Sequence, residues 1–232
     1  LAWPPSLVTL PPMETQTKDG EGQGGDRRPI AARNTGFAHA LAGWLIRRRA
    51  SPNGISAAGM VAGLIAGLAL AGTAWWPEAA RPLWLAGALF IQLRLLANLM
   101  DGMVALGRGV ASPVGELWNE VPDRVSDSAV LLGLGIAAGS PAWGLAASLA
   151  AMATAYIRTT GRAAGAPSDF RGPMAKQQRM ALVTVLALWC AVTPLAWQAG
   201  LPLWALVAIT ALAGLTALRR LGGAATALRT RA

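Results

Sequence analysis

Residues 98–127 read NLMDGMVALGRGVASPVGELWNEVPDRVSD. Asp101, Glu116, Glu120, Asp123 and Asp127, five of the chain's eleven acidic residues, fall within it. They sit inside two runs that are otherwise apolar enough to cross a membrane. A carboxylate at that depth is costly unless it is paired, solvated or metal-bound, which makes these acids the first functional candidates. The connection LGRGVASP carries two glycines and a proline, so the stretch predicts two antiparallel helices joined by a short turn.

Outward from this hairpin the pattern repeats. Six runs, at about 54–76, 82–107, 113–138, 142–163, 178–198 and 201–221, each approach the ~20 residues that a bilayer core requires. Of the 232 residues, 54% are hydrophobic, above the ~45–50% usual for soluble domains. The predicted fold is all-α, an integral membrane six-helix bundle with an N-terminal interfacial amphipathic helix. Residues 1–29 are polar and rich in Pro and Gly, without the basic start and apolar core of a signal peptide, and predict a disordered tail. Residues 30–53 supply the interfacial helix and its linker. There Phe37, Leu41, Trp44 and Leu45 share a face, and Arg47, Arg48 and Arg49 follow at the level of lipid phosphates. Residues 54–221 form the membrane domain, and 222–232 a basic C-terminal tail.

Seventeen of the twenty lysines and arginines fall before the first run, in the connection after the second, in or beside the connection after the fourth, or at the end of the sixth run and beyond. By the positive-inside rule both termini are then cytoplasmic, and the acidic hairpin faces the cytoplasm. The net charge of +9 flanks apolar spans. That favours anionic membrane lipids and substrate phosphates as partners, and no nucleic acid. The single Cys190 excludes a disulfide framework or a cysteine metal site within one chain.

Asn98, Asp101 and Ala105 are spaced i, i+3, i+7 and share a helical face, with Gly102 leaving room beside Asp101. Asn119, Asp123 and Asp127 are spaced by four, with Glu116 and Glu120 on the adjacent face. Facing oxygen ligands from two helices suit a hard cation, Mg²⁺ or Mn²⁺, that bridges to substrate phosphates. A remaining carboxylate can take a proton from an attacking hydroxyl. The same acids could equally pair with Arg94, Arg124 and Arg158 and hold the bundle together.

These residues resemble the CDP-alcohol phosphotransferases, whose motif is D-x-x-D-G-x-x-A-R-x8-G-x-x-x-D-x-x-x-D. The chain matches in register at Asp101, Gly102, Ala105, Gly115 and Asp123, and departs at Asn98, Leu106 and Asn119. Residues 51–56, SPNGIS, are similar to the family's T-P-N-x-I-T segment. Tyr156-Ile157-Arg158 looks like its basic phosphate-contacting position. The resemblance covers about residues 40–220.

The resemblance implies a divalent-metal-dependent enzyme of phospholipid synthesis. It would transfer a substituted phosphate from CDP-diacylglycerol or a similar CDP-alcohol to a polar acceptor alcohol, with release of CMP. It also implies a homodimer, placed here in a bacterial inner membrane. Carried over by position, Asp101 is the main metal ligand, Asn98 and Asn119 are neutral ligands, and Glu120 is a replacement carboxylate. Asp123 is the general base. Asn53 lies on the cytidine side, and Gly102, Ala105 and Gly115 let the nucleotide pack against backbone. Arg108 stands in for the missing motif arginine, and Arg158 and Lys176 bind the acceptor phosphate. Two other readings use the same acids: a member that binds CDP-lipid without turnover, and an ion-coupled carrier.

Overall fold

A computed structural model describes residues 35–110 and 113–230. The tail expected over 1–29, the beginning of the helix expected from residue 30, and the Glu116 side chain lie outside the described residues. The regular structure is entirely helical, in the order α1 Gly36–Arg47, α2 Pro52–Trp75, α3 Ala80–Gly107, α4 Pro113–Ala137, α5 Pro141–Ala163, α6 Lys176–Val192 and α7 Leu201–Arg229.

Local chemistry sets these boundaries. Ser51 caps α2, accepting from the Gly54 N–H at 3.3 Å, and Pro52 occupies the first helical position, where its missing N–H costs nothing. The α4–α5 hairpin turns in three residues, with Gly139 in the left-handed region at φ +65°, a conformation open to glycine at no steric cost. The sequence predicted an equally tight turn between the fifth and sixth runs, and there the structure differs. Pro194 forces Thr193 into an extended conformation, at φ −97° and ψ 158°, so α6 stops at Val192 and a longer connection follows. At the other end, α7 continues to Arg229 through most of the predicted tail.

Among the described residues, three helical stretches are long and apolar enough to cross a membrane: Pro52–Trp75, Pro77–Gly107 and Leu195–Arg229. This is the signature of a multi-pass membrane protein. The acids and arginines of α4 and α5, and the shortness of α6, keep those helices below the same measure.

At the centre, α2 packs most extensively against α3 and α4, while α5 pairs with α7, and α3 with α6. The α2–α4 contact is made by backbone. A Cβ at Gly133 would lie 2.8 Å from the Gly67 carbonyl carbon, and a Cβ at Gly63 would lie 2.5 Å from Ser126 Cβ. Leu70, Ile91, Leu131, Leu134, Met180 and Leu206 complete a core that joins α2, α3, α4, α6 and α7.

Helix α1 lies on α3. Ala38 and Ala42 are buried against Leu99 and Met100, with Leu41 and Leu45 partly buried beside them, whereas Phe37 and Trp44 stay exposed. Small residues permit the close approach, and this leaves the two aromatic residues on the outer surface.

The backbone contact gives a prediction. Gly133→Leu should separate α2 from α4 and lower stability by at least ~1–3 kcal/mol. Gly214→Ala, on α7 with nothing within 4 Å of the added Cβ, should leave the protein as stable or more so. Thermal unfolding of the detergent-solubilised protein checks both; equal midpoints would refute the contact.

Candidate active site

Helix α3 carries Arg94, Asn98 and Asp101, successive positions facing α2 and α4. Helix α4 carries Glu120, Asp123, Arg124 and Asp127. The first turn of α6 carries Lys176 and Arg179, and no acid. Chain segments far apart in sequence thus meet at one buried polar cluster.

Its innermost part is an ion-pair network. Arg94 Nη2 donates to Asp127 Oδ1 at 2.5 Å, to Asp123 Oδ1 at 3.1 Å and to the Asp123 carbonyl at 3.1 Å. Arg179 Nη2 donates to Asp127 Oδ2 at 3.1 Å, and its Nη1 donates to the Met174 carbonyl at 2.9 Å. The Arg94, Arg179 and Asp127 side chains are exposed by 1%, 1% and 4%. Asp123 also accepts from Asn98 Nδ2 on one oxygen and from Lys176 Nζ on the other.

Asp101 is buried beside this network. Its Oδ2 accepts from the Ser56 hydroxyl at 2.6 Å and its Oδ1 from the Gly102 N–H at 2.6 Å. Ser56 closes the segment SPNGIS, so the two motifs quoted from the sequence meet physically at this hydrogen bond.

On the open side lies a pocket of about 160 Å³. Asn98, Asn119, Glu120 and Asp123 line it together with Arg124, Arg158, Lys176, Arg179 and Arg220. Five cations thus face two acids. Glu120 is held by Arg158 and by Arg124, the latter at 3.6 Å, and the Arg158 guanidinium stacks 5.0 Å from the Phe170 ring centroid. Arg220, from α7, ties the pocket floor together through the Thr154 carbonyl at 2.8 Å and the Arg171 carbonyl at 3.1 Å.

The structure therefore brings together Asn98, Asn119, Glu120, Asp123, Arg158 and Lys176 at the pocket, with Asp101 buried beside the network. It does not bring the others to that pocket. Arg108 Nη1 donates to the carbonyls of Arg49 and Ala50, at 3.3 and 2.6 Å, and so clips the α1–α2 turn to the end of α3. Asn53 is exposed at the start of α2, and Gly102, Ala105 and Gly115 are outside the pocket lining. The alternative pairing read from the sequence is present as well: Arg94, Arg124 and Arg158 all meet acids. Sequence reasoning named Asp127 among the candidate acids without giving it a role, and left Arg94 and Ser56 out of the site. The signal for Arg94 was a charge inside an apolar helix.

Whether the residues suit a divalent ion turns on their donor set. Mg²⁺ typically takes one or two carboxylates plus substrate phosphates. Asp101, close to Asn98, meets that requirement for one ion. Among the described residues no group of three or more His, Cys, Asp or Glu side chains is placed to hold a metal unaided. Among the described residues, the buried side-chain atoms without a partner are Arg94 Nε and Nη1, Arg124 Nε and Arg179 Nε, all of them donors. Arg124 and Arg179 line the pocket with Arg158, Lys176 and Arg220, a cationic lining suited to an anion.

Removing one partner from a buried ion network strands the other. Asp127→Asn should cost ~3–5 kcal/mol, because Arg94 and Arg179 lose their shared acid. Glu120→Gln, at a side chain one-third exposed, should cost no more than ~1 kcal/mol. Equal losses in thermal or denaturant unfolding would remove the network from its structural role.

No protein-family model matches the chain. It is 34% identical over 116 residues to the archaetidylinositol phosphate synthase of Aeropyrum pernix. That stretch is 47% of this chain, and the chain spans about 60% of the relative's length. Among solved structures it is similar to the phosphatidylinositol phosphate synthase of Mycobacterium tuberculosis with CDP-DAG bound. There the TM-score is 0.65 and the identity 22%, over 80% of this chain and 92% of that one. The same enzyme in complex with manganese and citrate gives a TM-score of 0.65 at 23% identity, over 81% and 88%. Both relatives are CDP-alcohol phosphotransferases, the family that residues 98–123 resemble. At these identities the structural likeness shows the fold: the chain has the helical fold of the phosphatidylinositol phosphate synthases.

Proposed function

We propose that this protein is a CDP-alcohol phosphotransferase, a multi-pass membrane enzyme of phospholipid synthesis. Its six helices α2–α7 cross the bilayer, α1 lies at its surface, and the site opens to the cytoplasm. The observation that carries this reading is the Asn98–Asp123 hydrogen bond beside Asp101, in motif register, at the floor of a cationic pocket. The donor is CDP-diacylglycerol or a similar CDP-alcohol.

The reaction class follows from the chemistry of the two halves of the site. A hydroxyl of the acceptor attacks the β-phosphorus of the donor. The bond from that phosphorus to the oxygen bridging the two phosphates breaks, CMP leaves with the bridging oxygen, and a phosphodiester forms. Asp123, at the pocket floor, is placed to take the hydroxyl proton. Asp101, with the amide oxygen of Asn98, would hold a Mg²⁺ or Mn²⁺ ion. Such an ion, when bound, offsets the negative charge of the pyrophosphate. Arg158, Lys176, Arg179 and the N-terminal turn of α6 present donors to an anion, which supports an acceptor alcohol that itself carries a phosphate. Arg124 and Arg220 add positive charge around it.

Lys176 on Asp123 favours a second reading, in which the chain binds the donor without turning it over. The two readings separate in one assay. Purified protein in lipid vesicles should release CMP from labelled CDP-diacylglycerol when a phosphorylated polyol is added. Asp101→Asn should reduce that rate by at least ~100-fold, and Asp123→Asn by ~10²–10⁴-fold. Arg158→Ala should act mainly by raising the acceptor KM. Donor binding with no CMP release from any acceptor establishes the second reading, and an unimpaired Asp101→Asn variant removes the first.

A further inference from the structure

In the acidic hairpin, the positive charge nearest Asp123 belongs to the protein itself. Lys176 Nζ hydrogen-bonds Asp123 Oδ2, and the opposite oxygen accepts from Arg94 and Asn98. Both partners are withdrawn from solvent, the Lys176 side chain at 13% exposure and that of Asp123 at 10%. Lysine is reached from the first turn of α6, a helix end whose own dipole disfavours a cation. Asp123 across the gap offsets that cost.

The neighbouring positions make the same point. On the two facing helices, Asn98 and Asn119 offer amides, which can ligate but bring no charge. Asp127 is divided between Arg94 and Arg179, and Glu120 between Arg158 and Arg124. Five cations, Arg94, Arg124, Arg158, Lys176 and Arg179, meet three acids, Glu120, Asp123 and Asp127. Among the described residues, every buried side-chain atom lacking a partner is a guanidinium nitrogen. A cation added at Asp123 would displace Lys176 and meet Arg94 at hydrogen-bond range of the same carboxylate. Asp101 differs: its contacts are a hydroxyl and a backbone N–H, both uncharged.

We propose that the Lys176 ammonium is the resident cation of Asp123, so that the site takes no more than one divalent ion, held at Asp101. This rests on the phosphotransferase reading and narrows it. Part of the charge that would hold a pyrophosphate is covalently built into α6 and does not depend on metal concentration.

The test counts ions on the full chain in lipid nanodiscs. Mn²⁺ alone is the probe, and free Mn²⁺ is followed by its electron paramagnetic resonance signal. The wild-type protein should bind at most one Mn²⁺ per chain. Lys176→Met removes the ammonium from Asp123 Oδ2, leaving Arg94 at 3.1 Å and Arg124 at 3.6 Å, and should either add a second ion or tighten binding at least ~10-fold. Lys176→Arg keeps the charge and should match the wild type. Two ions on the wild-type chain overturn the proposal without any variant. So does a folded Lys176→Met protein, verified by its unfolding midpoint, whose ion number and affinity are unchanged. CMP release by the wild-type protein tests the transfer reading separately, so either conclusion can fail while the other stands.

Discussion

The fold depends on how two acids on α4 are shared among cations from other helices. Asp123 and Asp127 lie one turn apart, and between them they receive Arg94 from α3 and Lys176 and Arg179 from α6. Each charge is inside the bundle, where an unpaired ion costs far more than a paired one gains. The network therefore acts as a constraint more than as a source of stability. It fixes the depth at which α3, α4 and α6 meet, because a shift of one helical turn would leave at least one guanidinium without an acid.

That constraint is compatible with a small-residue core. Helices α2 and α4 touch through Gly63, Gly67 and Gly133, and α2 meets α3 at Gly59, where an added Cβ would lie 2.8 Å from Ala97 Cβ. Ser56, one turn before Gly59, reaches Asp101 on α3. Packing and chemistry are coupled here: the close approach of α2 to α3 lets a short serine side chain orient the acid.

Electrostatically the site has two faces. Toward α2 it presents Asp101 with uncharged partners, a place for a hard cation. Toward α5, α6 and α7 it presents arginines, a lysine and unpartnered donors, a place for phosphate. A substrate with a pyrophosphate at one end and an acceptor with its own phosphate at the other would span these two faces. This division is a property of which helix supplies which residue type.

The amino-acid sequence by itself determined the helices and the hairpin. Apolar runs near bilayer length, the short turn after residue 107, and the acids in motif register at 101 and 123 were all legible, because they depend on local spacing. The limits of α6 were misjudged. There a proline two residues past Val192 outweighed the hydrophobic pattern. Only the tertiary structure decided which cation meets which acid. Lys176 is 53 residues from Asp123 and Arg179 is 52 from Asp127, and such pairs depend on the rotation and crossing depth of whole helices. Those are set by the packing of α6 on α3 and α7 and of α4 on α2 and α5, and no periodicity in one helix encodes the position of the helix against which it packs.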